Sequence, residues 1–339
     1  MFFLLTSSLI LLASAAEPQP QGPFAIYGFH MLSWSSDGYG NAEEGLAALS
    51  EVAATGAQWV VFVPTEFMPV ATSTQIVSGE RSPSDESLIA AVRRAKALGM
   101  KVAIKPHVNS LDGTFRGYIR PSNETDWFRS YRVFILRYAR LAQALQADAF
   151  VVGTELYSMT RARHEAPWRH LIRRVRQEYQ GPLTYAAFWL EWDSVPFWSE
   201  LDAIGVNAYF PMGLPGSGDS AARFVRVWRE HYIPRLRGYA RRHGKPIIFS
   251  EFGISSQSGV YVFPWVYRRH GGVDMRVQQN YFAAFFNAFR DQGDWFLGFW
   301  QWGWTVHNDD GGPEDISHTV QGKPALEVFR REFLRGAGR

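Results

Sequence analysis

The chain reads as a single (β/α)8 TIM barrel, and three observations predict it. Short runs rich in Val, Ile, Phe and Ala alternate with amphipathic helical stretches along the sequence. The short runs are continuously apolar instead of alternating, as strands covered on both faces must be. Eight strand-then-helix units in about 310 residues have the size of one barrel domain. The competing architecture, an open doubly wound sheet, needs a glycine-rich phosphate loop after its first strand, and Tyr27-Gly28-Phe29-His30-Met31 lacks those glycines.

The elements follow in order. The first strand is expected at residues 25–32 and its helix at 43–55. A second strand at 59–64 precedes a helix at 84–98, with Pro83 near its start and Gly99 at its end. The third strand, 101–108, leads to a long amphipathic stretch at 124–145; the fourth, 149–154, leads to 167–179, which begins at Pro167. After the fifth strand, 183–189, only a short or poorly formed helix is expected, around 194–200. The sixth, 203–208, precedes a helix at 221–243 that Gly244 ends; the seventh, 246–250, precedes 274–291; the eighth, 296–301, is followed by 324–334. No linker or low-complexity segment interrupts the series, so residues 17–339 are expected to form one domain.

Composition narrows the function classes. With 46% hydrophobic and 20% charged residues among 339, the chain can bury a sizeable core and is too apolar for disorder. The net charge is only +3, and cations such as Arg169, Arg173, Arg174 and Arg176 are scattered over helical faces without interleaved stacking aromatics, so no nucleic acid is expected as a partner. Residues 1–16, MFFLLTSSLILLASAA, form an apolar run ending in the small-x-small pattern Ala13-Ser14-Ala15, with Glu17-Pro18 beyond it. No Lys or Arg precedes the run, but it is shorter than the roughly 20 residues of a membrane span. It is read as a signal peptide, which implies export to the periplasm or beyond and no membrane association after cleavage. Cysteine is absent and the histidines are dispersed, so no disulfide, zinc site, other metal or cofactor is expected.

In such a barrel the chemistry sits on the loops at the carboxyl ends of the strands. Those ends carry His30, Ser33 and Trp34; Thr65 and Glu66; His107, Asn109 and Asp112; and Thr154, Glu155 and Tyr157. They continue with Trp189, Glu191 and Trp192; Asn207 and Tyr209; Ser250 and Glu251; and Trp300, Gln301, Trp302 and Trp304. The amino-terminal ends show no comparable gathering. Glu155 directly follows Phe150-Val151-Val152-Gly153-Thr154, and Glu251 directly follows Ile247-Ile248-Phe249-Ser250. A glutamate ending an apolar strand is costly to bury unless paired or solvated. Either one alone could be an arginine's salt-bridge partner. The two together, on strands that face each other across the mouth, match the carboxylate pair of a retaining glycosidase, which stands about 5–5.5 Å apart. The 13 Trp, 14 Tyr and 25 Phe fit a sugar ligand, because pyranose C–H faces pack on aromatic rings. Trp302 is the expected platform under the scissile sugar, while Trp59 and Trp295 only pack.

Three segments resemble glycoside hydrolase family 113, within the large clan of retaining barrel glycosidases. They are LDGTFRGYIRPSNETDWFRSYRVFILRYARLA at 111–142, AFVVGTELYSM at 149–159 and DISHTVQGKPALEVFRR at 315–331. The likeness runs from about Gly28 to the end, and QGKPA is its more specific part. The resemblance implies hydrolysis of β-linked mannose with retention, Glu155 as acid/base and Glu251 as nucleophile. It implies that Tyr209 hydrogen-bonds the nucleophile and holds it ionised, and that His107 and Trp302 line the scissile subsite. One position departs from the pattern: the clan usually has Asn before the acid/base, contacting the sugar 2-hydroxyl, and here it is Thr154. A hydroxyl is shorter and cannot donate and accept through separate atoms, which bears on whether the sugar is mannose or glucose.

Other residues carry competing readings. Glu66 is expected to contact a sugar hydroxyl or to pair with an arginine. Asp112 and Arg116 either pair with each other or rim the cleft. His107 could instead be a satisfied core histidine. Trp34, Trp189 and Asn207, at strand ends, complete the expected sugar contacts. The acidic stretch 308–315 lacks the spacing of a calcium loop and is read as solvated. Beside β-mannoside hydrolysis stand two alternatives: a retaining hydrolase or transglycosylase of another β-linked glycan such as an exopolysaccharide, and a non-catalytic sugar-binding barrel.

Overall fold

The computed structural model describes residues 24–40, 43–266, 271–306 and 310–335. The apolar run 1–16 and the loop residues Asn308 and Asp309 lie outside the described residues. Eight parallel strands close into a barrel: β1 (Ile26–Leu32), β2 (Trp59–Phe62), β4 (Lys101–Ile104), β6 (Ala149–Thr154), β7 (Leu183–Ala187), β8 (Ile204–Asn207), β9 (Ile247–Phe252) and β10 (Phe296–Thr305). Around them run α1 (Glu43–Ala54), α2 (Asp85–Ala97), α3 (Glu124–Ala144), α4 (Glu165–Glu178), α5 (Ala221–Val227), α6 (Ile233–His243), α7 (Met275–Phe289) and α8 (Pro324–Leu334). Between β7 and β8 only a 3-10 turn, Trp198–Glu200, stands where a full helix would be. This is the (β/α)8 barrel expected from the pattern of apolar runs.

Two expected strands are shorter than their apolar runs. Residues 59–64 and 101–108 break at Pro64 and Pro106, which have no N–H to give to a ladder. Beyond the prolines the chain leaves the barrel as β3 (Thr65–Met68) and β5 (His107–Ser110), which pair with each other in a separate two-stranded parallel sheet. The expected helix 221–243 is also interrupted, by a π turn at Trp228–Tyr232 ahead of Pro234. Proline cannot donate to the carbonyl four residues back, and a wider turn accommodates it.

The barrel interior is packed at its amino-terminal half by Trp59, Val61, Ala103, Ala149, Val151, Ala186, Ala203, Ile248 and Trp300. A larger core lies between sheet and helices, rich in aromatics such as Trp168, Trp228, Phe249, Phe252 and Phe285. Helix starts are capped by side chains: Ser84 accepts from the Ser87 N–H, Asn123 from Asp126 and Asp274 from Val277. The interior filling stops below the carboxyl ends of the strands, where the polar side chains begin.

Candidate active site

Glu155 follows β6 directly and has φ of 53°, in the left-handed region that a non-glycine residue seldom enters. Its neighbours hold that conformation. The Glu155 N–H donates to Ala186 O at 2.9 Å, and the Leu156 N–H donates to the Tyr185 hydroxyl at 2.7 Å. Upstream, β6 slips register against β7 between Val151 and Thr154, and Gly153 lies against Tyr131, Trp168 and Tyr185. Glu251 lies within β9, beside Asn207 of β8, and its carbonyl accepts from the Ala208 N–H at 2.7 Å. Both glutamate side chains line one cavity of about 520 Å³ at the carboxyl mouth.

The two carboxyl groups are dressed differently. Glu251 accepts from the Lys105 ammonium at one oxygen and from the Tyr209 hydroxyl, 2.9 Å away, at the other. Lys105 is fully buried and also sits over the Trp302 ring, 5.3 Å from its centroid. Glu155 accepts from Arg116 Nη1 at 3.0 Å, while Nε and Nη2 of the same guanidinium bond Asn109 Oδ1 at 3.1 and 2.7 Å. Burial, and next the charge of Glu251, push Glu155 up to about 7; Arg116, Asn207 and Lys105 pull against that. Burial lowers Lys105, with Glu251 opposing. It also holds His107 and His30 well below the usual histidine range, and His318 at about 4. These imidazoles are therefore neutral at ordinary pH.

Of the residues expected from sequence, Trp34, Arg116, Glu155, Tyr209, Glu251 and Trp302 line this cavity together. Others stand next to it. His107 is fully buried and stacks on Trp302, with ring planes 5° apart, centroids at 5.8 Å and Nε2 3.8 Å from Glu251. Thr154 Oγ1 is buried without a hydrogen-bond partner, while Asn207 faces Glu155 and its Oδ1 accepts from Ser250. Trp189 stacks on Trp265 at 4.8 Å. Glu66 is outside the cavity lining: it pairs with Arg137 at 2.5 Å and accepts from Ser78 and Tyr138, which is the arginine-partner reading and not the sugar contact. Asp112 and Arg116 do not pair with each other. Asp112 accepts from Ser110, Ala71 N and Thr114 N and so braces its own loop.

The cavity also holds residues that the sequence reading did not single out: Phe115, Tyr118, Phe188, Trp265 and His318. Lys105 was missed as well. The buried Lys323 of the QGKPA segment bonds Ser256 Oγ, Ser317 O and Asp315, tying down the loop that carries His318. At the opposite, amino-terminal mouth a smaller cavity of about 320 Å³ is mostly apolar, and its Asp148 and Asp202 accept from the backbone N–H groups of Val102 and Leu183. Among the described residues no cluster of His, Asp or Glu is placed to hold a metal ion, and no helix is long and apolar enough to cross a membrane.

The sequence profile of Glycoside Hydrolase Family 113 matches residues 28–323. Among solved structures, the chain is similar to the GH113 β-mannanase of Alicyclobacillus acidocaldarius in complex with ManMIm. That likeness has 32% identity and a TM-score of 0.82, over 93% of this chain and 98% of that one. A GH113 β-1,4-mannanase is similar at 28% identity and a TM-score of 0.83, over 93% of this chain and 100% of that one. A complex of a GH113 β-1,4-mannanase gives 27% and 0.82, over 93% and 99%. No curated protein matches.

Proposed function

The chain belongs to glycoside hydrolase family 113, and on that premise we propose that it hydrolyses β-mannosidic linkages, in β-1,4-mannan or manno-oligosaccharides, with retention. The observation that carries the mechanism is the pair of buried glutamates in one cavity, one bonded by Lys105 and Tyr209, the other raised to about 7. Glu251 attacks the anomeric carbon. As that bond forms, the glycosidic C–O bond breaks and Glu155 gives its proton to the leaving oxygen. Water then enters, Glu155 takes its proton, and the oxygen attacks C1 while the bond to Glu251 breaks. Two inversions at one carbon give net retention. General acid help of this kind contributes about 10²–10⁴-fold. Trp302, stacked on His107, supplies the apolar face under the scissile sugar, and Arg116 bounds the cleft beside Glu155.

Mannose rests on the likeness to the GH113 β-mannanases. Thr154 favours a second reading, a retaining hydrolase or transglycosylase of another β-linked glycan. Its hydroxyl is buried without a partner, where a longer amide would reach further. Incubation with β-mannan, manno-oligosaccharides, aryl β-mannoside and aryl β-glucoside, read by product analysis and by NMR of the first-formed anomer, separates these readings. Release of β-configured mannose products is expected. Turnover of glucosides alone overturns the sugar, and an α-configured first product overturns the double displacement. Residues 1–16 are proposed to be an export signal, with 17–339 the periplasmic or extracellular catalytic domain. Amino-terminal sequencing of the exported protein tests the cleavage site.

A further inference from the structure

Lys105 is a buried ammonium whose role is not exhausted by binding Glu251. It is fully buried, stands over the Trp302 ring and bonds the oxygen of Glu251 that Tyr209 does not. The titratable groups around it are Glu251, Glu155 and Arg116, together with His107 and His30, which are neutral at working pH. Its field reaches Glu155, which also faces Glu251, Arg116 and the buried Glu191. Lys105 and Arg116 thus bracket the two neighbouring carboxyl groups, Lys105 bonded to Glu251 and Arg116 to Glu155.

Double displacement breaks this balance midway. When Glu251 forms its bond to C1, its negative charge is cancelled and the proton of Glu155 leaves on the first product. Lys105 then remains, buried, with its bonded counter-ion gone. An unpaired buried charge is strongly unfavourable, and the nearest carboxyl group able to answer it is Glu155. We propose that Lys105 is a positioning residue for the second half-reaction: its ammonium, unneutralised in the glycosyl-enzyme, speeds departure of the sugar from Glu251 and favours Glu155 as the base that activates water. The bond from C1 to Glu251 breaks with its electron pair going back to the Glu251 oxygen beside Lys105, so the ion pair is restored when the product forms. Before that step the same ion pair weakens Glu251 as a nucleophile, so the charge slows attack and speeds release.

This rests on the double-displacement reading, and the test keeps the two apart. The substrate is a dinitrophenyl β-glycoside of whichever sugar the wild-type enzyme turns over, so that attack is fast and release limits kcat. In Lys105→Gln, kcat is expected to fall by about tenfold or more with KM falling alongside, kcat/KM staying within about threefold. Mass spectrometry of quenched samples should show the variant's glycosyl adduct outlasting that of the wild type by about tenfold once substrate is spent. Lys105→Arg, which keeps the charge, should restore kcat. Equal losses in kcat and kcat/KM with no longer-lived adduct overturn the inference and leave the double displacement standing. An enzyme that inverts the anomeric carbon overturns the double displacement itself. If Lys105→Gln does not fold, Lys105→Met, which is similar in length and uncharged, takes its place with the same readouts and the same overturning result.

Discussion

Glu155 must carry a proton to act as acid, so its environment sets an upper pH limit on the first half-reaction. Burial and the charge of Glu251 raise it to about 7. A raised carboxyl is protonated below that value and loses its proton above it. With the roles proposed, kcat/KM is expected to decline above about pH 7, tenfold per unit. Glu155→Gln cannot donate and should abolish the alkaline limb while keeping residual turnover of substrates with good leaving groups. A limb unchanged in that variant would belong to another group. Arg116 tests the same balance from the other side. Its guanidinium, bonded to Glu155 and braced by Asn109, pulls the carboxyl down. Arg116→Ala is therefore expected to move the limb to higher pH, and a move to lower pH would contradict the assignment.

The strand end that carries Glu155 depends on the absence of a side chain two residues earlier, at Gly153. A β-carbon there would come within 2.8 Å of the Tyr131 hydroxyl and 3.0 Å of Trp168 and Tyr185. Those rings belong to α3, α4 and β7, so they are fixed by three elements at once. Tyr131 donates to Val152 O at 2.9 Å, and Tyr185 bonds both the Leu156 N–H and Glu191. Gly153→Ala is expected to destabilise the protein by about 1–3 kcal/mol through overpacking. The strain falls on Tyr185, which clamps the backbone next to Glu155, so kcat should fall more than KM changes. Thermal melting and steady-state kinetics on the same preparation check both. Unchanged Tm and kcat would mean that the rings yield without cost.

Across the whole molecule, the parts legible in the sequence are those whose side chains obey a repeat. The apolar runs gave every barrel strand, because a strand covered on both faces has no polar position to confuse the pattern. Glu155 and Glu251 stood out because each ends such a run. Lys105 lay inside an expected strand and was passed over, although a cation in a doubly covered run requires a buried counter-charge. Phe115, Trp265 and His318 come from loops, whose paths no periodicity encodes, and Phe188, inside the expected fifth strand, lies just past the end of β7. Glu191 is another loop residue, fully buried beneath the cleft, accepting from Phe188 N, Thr160 and Tyr185, each at 2.9 Å. Burial raises it to about 7 from an ordinary 4.5. The folded protein therefore binds a proton that the unfolded chain releases between those values. The sign follows: the stability from this group is fully present below about pH 4.5 and is lost as pH rises through 7. The loss amounts to about 3 kcal/mol at most, the free-energy equivalent of moving the group from 4.5 to about 7. Glu191→Gln keeps an acceptor oxygen and does not titrate. Relative to wild type, the variant is expected to gain stability between pH 5 and pH 8, measured as the urea midpoint at each pH. A difference that stays constant, or that shrinks toward pH 8, would mean that Glu191 is ionised in the folded protein throughout, with its three donors outweighing its burial.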